Sequence, residues 1–253
     1  MSAATALPTR RDEAWRYSDL DALAALWPVA APREIVLGAG EENAIVLIAR
    51  DGGVQDFRVT LGAGATQTVH LLMLGGPLSR ITFDVATQEG AHFELKAVLL
   101  AGAGETVELV TRLNHALPDA TSNQTVRAIA GSGGTTSYLG QVAVARGAQK
   151  TDASQSFKAM LLDRQSTANA RPELEIFADD VKCAHGASVG ELDKASLFYL
   201  ASRGLPPAAA KALLRAPSSR ACSRISTMRR SGSASKRSRP SGWRGWHEHH
   251  PRS

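Results

Sequence analysis

Between Glu34 and Val189 the chain runs in short stretches of alternating apolar and polar residues: REIVL, NAIVLIA, RITFDVAT, HFELKAVLL, TVELVTRL and SYLGQVAVA. Gly, Asn, Asp or Thr interrupts nearly every one, which is the texture of β-strands joined by tight turns. In RITFDVAT and HFELKAVLL, Ile81, Phe83 and Val85, then Phe93, Leu95, Ala97 and Leu99, fall on every second position. Each strand therefore shows one face to a core and the other to water. Regularly spaced short strands predict a sandwich, a barrel or a β-solenoid. Periodicity does not choose among them, because no repeat of fixed length emerges. Aromatic residues make up only 5% of the chain and small residues abound, which favours a solenoid lined by Val, Leu, Ile and Ala.

Both ends carry a different pattern. Residues 12–27, DEAWRYSDLDALAALW, space apolar residues as a helix does, and Pro28 stops them. The expected organisation begins with a helical segment over 1–30 and a β core over 31–190. Beyond it, Asp193 serves as an N-cap and Gly204 as a helix terminator, Pro206 and Pro207 open a second helix, and AAAKALLR has strong helix propensity. C-terminal helices are thus expected over 191–216.

Charge changes the picture only at the C-terminus. The net charge of +5 would ordinarily direct attention to nucleic acid. From Arg215 onward, however, there are ten Lys and Arg against the single acid Glu248, so the rest holds 19 basic and 23 acidic residues. The excess positive charge belongs to a Ser/Arg-rich stretch, read as a disordered basic tail over 217–253. That tail breaks off the amphipathic AAAKALLR abruptly. With GC-rich codons and one base restored, LLRAPSSRACSRISTMRRSGSASKR becomes LLLRAFIARVFADIDDEALRERIEA in the neighbouring frame, an acidic amphipathic helix. Everything after about Leu214 is therefore expected to be a frameshift product.

Two cysteines, Cys183 and Cys222, cannot form a disulfide framework. The N-terminal residues lack an apolar run of signal-peptide length and no segment reaches bilayer length, so a soluble, cytoplasmic protein is expected. Gly62–Gly64, Gly102–Gly104 and Gly131–Gly134 lack the setting of phosphate loops and read as turns, and Lys150-Thr151 follows Gln149 where a P-loop needs Gly. Nucleophile elbows, HExxH and paired CxxC motifs are absent. His70, His92 and His115 read as packing or surface residues, and His247, His249 and His250 lie in the tail.

One segment carries candidate chemistry. If 179–185 in ADDVKCAHGASVG is extended, Asp179, Val181, Cys183 and His185 share a face. A thiol and an imidazole two residues apart suit zinc, copper or an iron–sulfur species, but two ligands do not close a site. The others would come from another chain or from a cluster's own sulfide.

PELEIFADDVKCAHGASVGELD (172–193) with LFYLASRGL (197–205) resembles the C-terminal hallmark of the SufB/SufD family. SNQTVRAI, GQVAVARGAQKTDASQSFKAMLL, ANARPELEI and the N-terminal LPTRRDEAWRYSDL are similar to family segments in the same order. KCAHGAS has the form of the SufD branch. The resemblance implies a mainly β chain, a right-handed parallel β-helix with short helical elements at both ends. It also implies a non-catalytic scaffold in iron–sulfur cluster assembly that pairs with SufB through the β-helix and holds the ATPase SufC through its C-terminal helices, with SufC binding weakened here if the tail is frameshifted. His185 would serve a transient cluster at the SufB interface, with Cys183 the lesser participant. No stably bound cofactor, flavin included, is expected, and a homodimer is open to the chain without SufB. The core is shorter than the family pattern.

Two readings from other classes stand beside it. A carbohydrate-active β-helix enzyme would need clustered acids on one exposed face, whereas the acids here are dispersed except for Asp179-Asp180. A nucleic-acid binder would rest wholly on the tail.

Overall fold

The computed structural model describes residues 6–191, with Tyr199, Ser202, Arg203 and Pro206 beyond them. Twelve strands follow one another: β1 (Arg33–Leu37), β2 (Glu42–Ala49), β3 (Gly53–Leu61), β4 (Thr66–Leu74), β5 (Leu78–Thr87), β6 (His92–Ala101), β7 (Thr106–His115), β8 (Thr121–Ala130), β9 (Thr135–Val144), β10 (Asp152–Leu161), β11 (Thr167–Ile176) and β12 (Lys182–Glu191). Odd strands form one six-stranded sheet and even strands another, each paired in parallel in sequence order. The chain thus alternates between two sheets and climbs one strand per coil, which is a parallel β-solenoid.

The coils explain why no fixed period is readable. Glu34 and Arg58, one coil apart at the start, are separated by 24 residues, whereas Ser137 and Asn169 near the end are separated by 32. Strands β5 to β12 keep ten residues each, so this late growth lies in the corners. Glycines make several corners possible. Gly64 has φ +65°, and a Cβ at Gly134 would collide with the carbonyl oxygen of Gly102 on the coil before.

Alternation sets the inside. On β4, Gln67, Val69, Leu71 and Met73 are buried, while their neighbours face out. The interior is not lined by small aliphatic residues alone. Phe57 and Phe83 stack with ring centroids 5.0 Å apart, Phe93 faces Phe83 at 6.5 Å, and Tyr138 stacks on Phe157 at 5.7 Å. The expected Val, Leu, Ile and Ala still make up most of the core; the rings add to them because parallel in-register pairing places Phe83 on Phe57.

The predicted N-terminal helix is likewise broken. A 3-10 turn covers Glu13–Trp15 and α1 (Leu20–Ala24) follows, with Asp19 accepting from the backbone N–H groups of Asp21 and Ala22. Between them, Ser18 turns inward and donates to Glu108 Oε2 at 2.5 Å. The segment is therefore a strap across the outer face of the odd sheet.

His115 ends β7 on the inward face, fully buried, with Nε2 3.0 Å from Ser122 Oγ and Nδ1 3.2 Å from Thr87 Oγ1. Burial pushes its imidazole down to about 4. Between that value and the ordinary one near 6.5 the unfolded chain binds the extra proton, so stability falls as pH drops across this window. The loss from this group is on the order of 3 kcal/mol at pH 4. Urea unfolding at stepped pH should show the slope, and His115→Gln should flatten it. An equal slope in the variant would assign the effect elsewhere.

Candidate functional site

β10 and β12 pair in parallel with Cys183 beside Ala153 and His185 beside Gln155. Ala153 and Gln155 are buried inside the solenoid, so Cys183 and His185 extend two inward rows. Cys183 is partly buried and packs against the core. His185 is exposed, because β12 is the last strand of its sheet among the described residues. Among the described residues, the imidazole thus stands on the inward phase of the last strand of its sheet and is exposed.

The other two residues expected on this face lie before the strand. β12 begins at Lys182, and Asp179 and Asp180 form a bend preceding it. The cause is a corner: the Asp180 carbonyl accepts from the Lys150 N–H at 2.5 Å, and the Asp180 N–H donates to Gln149 Oε1 at 2.9 Å, tying the bend to the preceding coil. Val181 packs against the core. Asp179 is thus corrected from strand residue to exposed corner residue, while Cys183 and His185 keep one face.

Burial raises the Cys183 thiol above its ordinary value; a hydrogen bond from the Ala153 backbone opposes this, and the Asp152 charge adds to the rise. The sulfur therefore rests as a thiol at neutral pH, a weak metal ligand until it loses its proton. Among the described residues no group of three His, Cys, Asp or Glu side chains could hold a metal ion. The thiol and the imidazole are the two donor groups that β12 brings to one face.

Alternation inside the solenoid also placed residues that the motifs did not single out. Gln124 and Gln155 occupy the inward phase of β8 and β10, in register with each other and, through Gln155, with His185. A glutamine on the apolar phase of a strand such as DASQSFKAML was the available signal. The outward histidines play lesser parts: His92 Nδ1 lies 2.7 Å from Thr121 Oγ1, and burial lowers His70, with Lys96 adding to the effect. The glycine runs form turns. Apart from Glu191, Tyr199, Ser202, Arg203 and Pro206, the expected C-terminal helices lie outside the described residues, as do the tail and its three histidines, and among the described residues no helix is long and apolar enough to cross a membrane.

Residues 51–216 match the family model described as SUF system FeS cluster assembly, SufBD core domain. The chain is 33% identical over 148 residues to the iron–sulfur cluster assembly protein SufD of Escherichia coli K12, covering 57% of this chain and 34% of that protein. It is 33% identical over 189 residues to an iron–sulfur cluster assembly SufBD family protein of Synechocystis, covering 72% and 41%. It is 39% identical over 102 residues to the chloroplastic protein ABCI7 of Arabidopsis thaliana, covering 40% and 22%. The matched stretches thus span well under two thirds of these relatives. With the parallel solenoid, these matches place the molecule in the class of iron–sulfur cluster assembly proteins of the SUF system. Within that class, the chain belongs to the SufBD family.

Proposed function

We propose that this chain is a SufD-type, non-catalytic scaffold that pairs with SufB and contributes His185 to a site where an iron–sulfur cluster forms as cargo. The observation that carries this reading is the placement of His185, on the inward row of a terminal strand yet exposed. A neutral imidazole is a borderline ligand suited to iron, and one histidine with one protonated thiol leaves most coordination positions to sulfide or to another chain.

The end of the solenoid supports pairing. Among the described residues, β11 and β12 each have one strand neighbour, so each presents a backbone edge that no other described strand covers. The outward row of β12 alternates Ala184, Gly186, Ser188 and Gly190, and a Cβ at either glycine would meet nothing within 4 Å. A second sheet could approach such a row closely. Coupling to the ATPase SufC would run through the expected C-terminal helices, and a cytoplasmic location is part of the same proposal. In this reading the protein has no turnover of its own.

A reconstituted complex with SufB and SufC tests the proposal. His185→Ala should lower the rate of cluster assembly about tenfold or more, with the circular dichroism of the chain unchanged. Cys183→Ser should cost only a few-fold, because the thiol is protonated at rest. Unchanged assembly in the histidine variant would remove the site and leave His185 a surface residue.

A further inference from the structure

At the end of the solenoid opposite His185, β2 is an edge strand without the protection that edges ordinarily carry. Among the described residues its one strand neighbour is β4, so its other side is unpaired. The Thr66 N–H donates to the Glu41 carbonyl, and Asn43 stands beside Gln67 in the register. Bonding alternates along a parallel pair, so the odd-numbered residues of β2 bond β4, while Glu42, Ala44, Val46 and Ile48 turn their backbone N–H and C=O groups to the open side. Edges are usually blunted by charge, proline or a bulge, yet the run from Ala44 to Ala49 is apolar throughout. Val46 is 53% and Ile48 38% exposed on the outward face. Ile45 and Leu47, on the inward face, pack against the core and are only partly buried. Charge flanks the run, with Glu42 before it and Arg50 after it, both exposed.

We propose that β2 is a docking edge for a second copy of this chain, the two strands running antiparallel about a twofold axis at Val46. A twofold contact uses the same patch on both copies, so the strand has to complement its own reverse. β2 meets that condition. With the axis at Val46, Ala44 faces the second copy's Ile48 and Glu42 faces the second copy's Arg50, each pair occurring twice. These are all even-numbered positions, so the backbone groups that β4 leaves free meet one another, and each facing pair exchanges both of its hydrogen bonds. On the inward face Ile45 meets the second copy's Leu47, which joins the two cores. An axis at Ile45 or Leu47 keeps the backbone phase but sets Glu42 against Ile48, or Ala44 against Arg50, so the charges select Val46. The contact leaves β11 and β12 free and is therefore separate from the pairing proposed above.

Sedimentation velocity of the full-length chain, over a concentration range of about a hundredfold, tests this without SufB or iron. The chain should pass from monomer to a species of twice the mass as concentration rises. Val46→Lys sets two like charges face to face on the axis and should stay monomeric throughout. Because Val46 is exposed, the variant should unfold at the temperature of the parent. Glu42→Arg and Arg50→Glu should each weaken association about tenfold, since both facing pairs turn repulsive, and the double exchange should restore it. A parent chain that is monomeric at every concentration would overturn the proposal, whether the edge is bare or covered by the chain's own residues. A dimer that Val46→Lys leaves intact would also overturn it, by placing the contact elsewhere. A double exchange as weak as the single variants would remove the axis at Val46. Should Val46→Lys unfold early, the charge series decides alone. His185→Ala should dimerise like the parent, so failure of the scaffold reading and failure of this contact are told apart.

Discussion

Arg80→Ala is expected to destabilise the protein by about 3–5 kcal/mol, the cost of leaving a buried charge without its partner. Arg80 and Glu108 have side chains 2% and 0% exposed, and Arg80 Nη1 lies 2.6 Å from Glu108 Oε2. Nη2 donates to the Ala14 carbonyl at 2.7 Å, and the guanidinium sits 4.0 Å from the ring centroid of Trp15. Burial lowers the arginine from its ordinary value, and the Glu108 charge pulls it back; the guanidinium remains charged. Removing it strands the Glu108 carboxylate with Ser18 alone and frees the strap. Urea unfolding measures the loss, and trypsin should cut faster at Arg10, Arg11 or Arg16. Replacing both partners, Arg80→Met with Glu108→Leu, should cost much less than either single truncation, because no lone charge is buried. A change below about 1 kcal/mol in Arg80→Ala, with unaltered proteolysis, would show that the strap is not held by this pair.

Phe83→Ala is expected to cost about 3–5 kcal/mol, through lost burial and the cavity left behind. The ring is fully buried, stacked on Phe57 within the odd sheet and facing Phe93 across the interior, so truncation opens a gap shared by both sheets. Relaxation is limited because each neighbouring strand is held in its ladder on both sides. The control is Phe177→Ala. That residue is 64% exposed in a corner and should change stability by no more than about 0.5 kcal/mol. Near-equal midpoints for the two variants in chemical denaturation would contradict the stacking account.

These two sites mark what alternation along the chain could and could not disclose. The strands themselves were legible: REIVL, RITFDVAT and HFELKAVLL lie within β1, β5 and β6, and the inward set Phe93, Leu95, Ala97 and Leu99 is buried as their phase requires. The choice of a solenoid was not, since corners of changing length blur any period, and the resemblance had to supply it. Arg80 and Glu108 occupy the outward phase, where a charge normally meets water. Phase says which side a residue faces and nothing about what covers that side, so their burial depends on a strap far away in sequence. The break in the helical spacing over 12–27 has the same origin: Ser18 leaves the helix to reach Glu108, a tertiary demand that local propensity does not contain. For the candidate site, KCAHGAS identified Cys183 and His185 and the period of two placed them together. Asp179 falls in a corner that Asp180 fixes, its N–H bonded to the Gln149 side chain and its carbonyl to the Lys150 N–H, and strand phase alone does not say what surrounds an inward polar residue such as Gln155.

The strap also has a consequence for the order of events during synthesis. Every strand pairing joins positions about one coil apart, so each coil can settle on the one before it soon after leaving the ribosome, with a similar loop-closure cost each time. Ser18 and Glu108 are 90 positions apart. The strap therefore finds its first hold when β5 brings Arg80 to Ala14 and Trp15, and its full latch only when β7 brings Glu108; Arg80 remains without its carboxylate until that moment. The nascent solenoid is latched in mid-construction: from Glu108 onward its early coils are locked from outside, while the coil that carries Cys183 and His185 is added after the latch has closed.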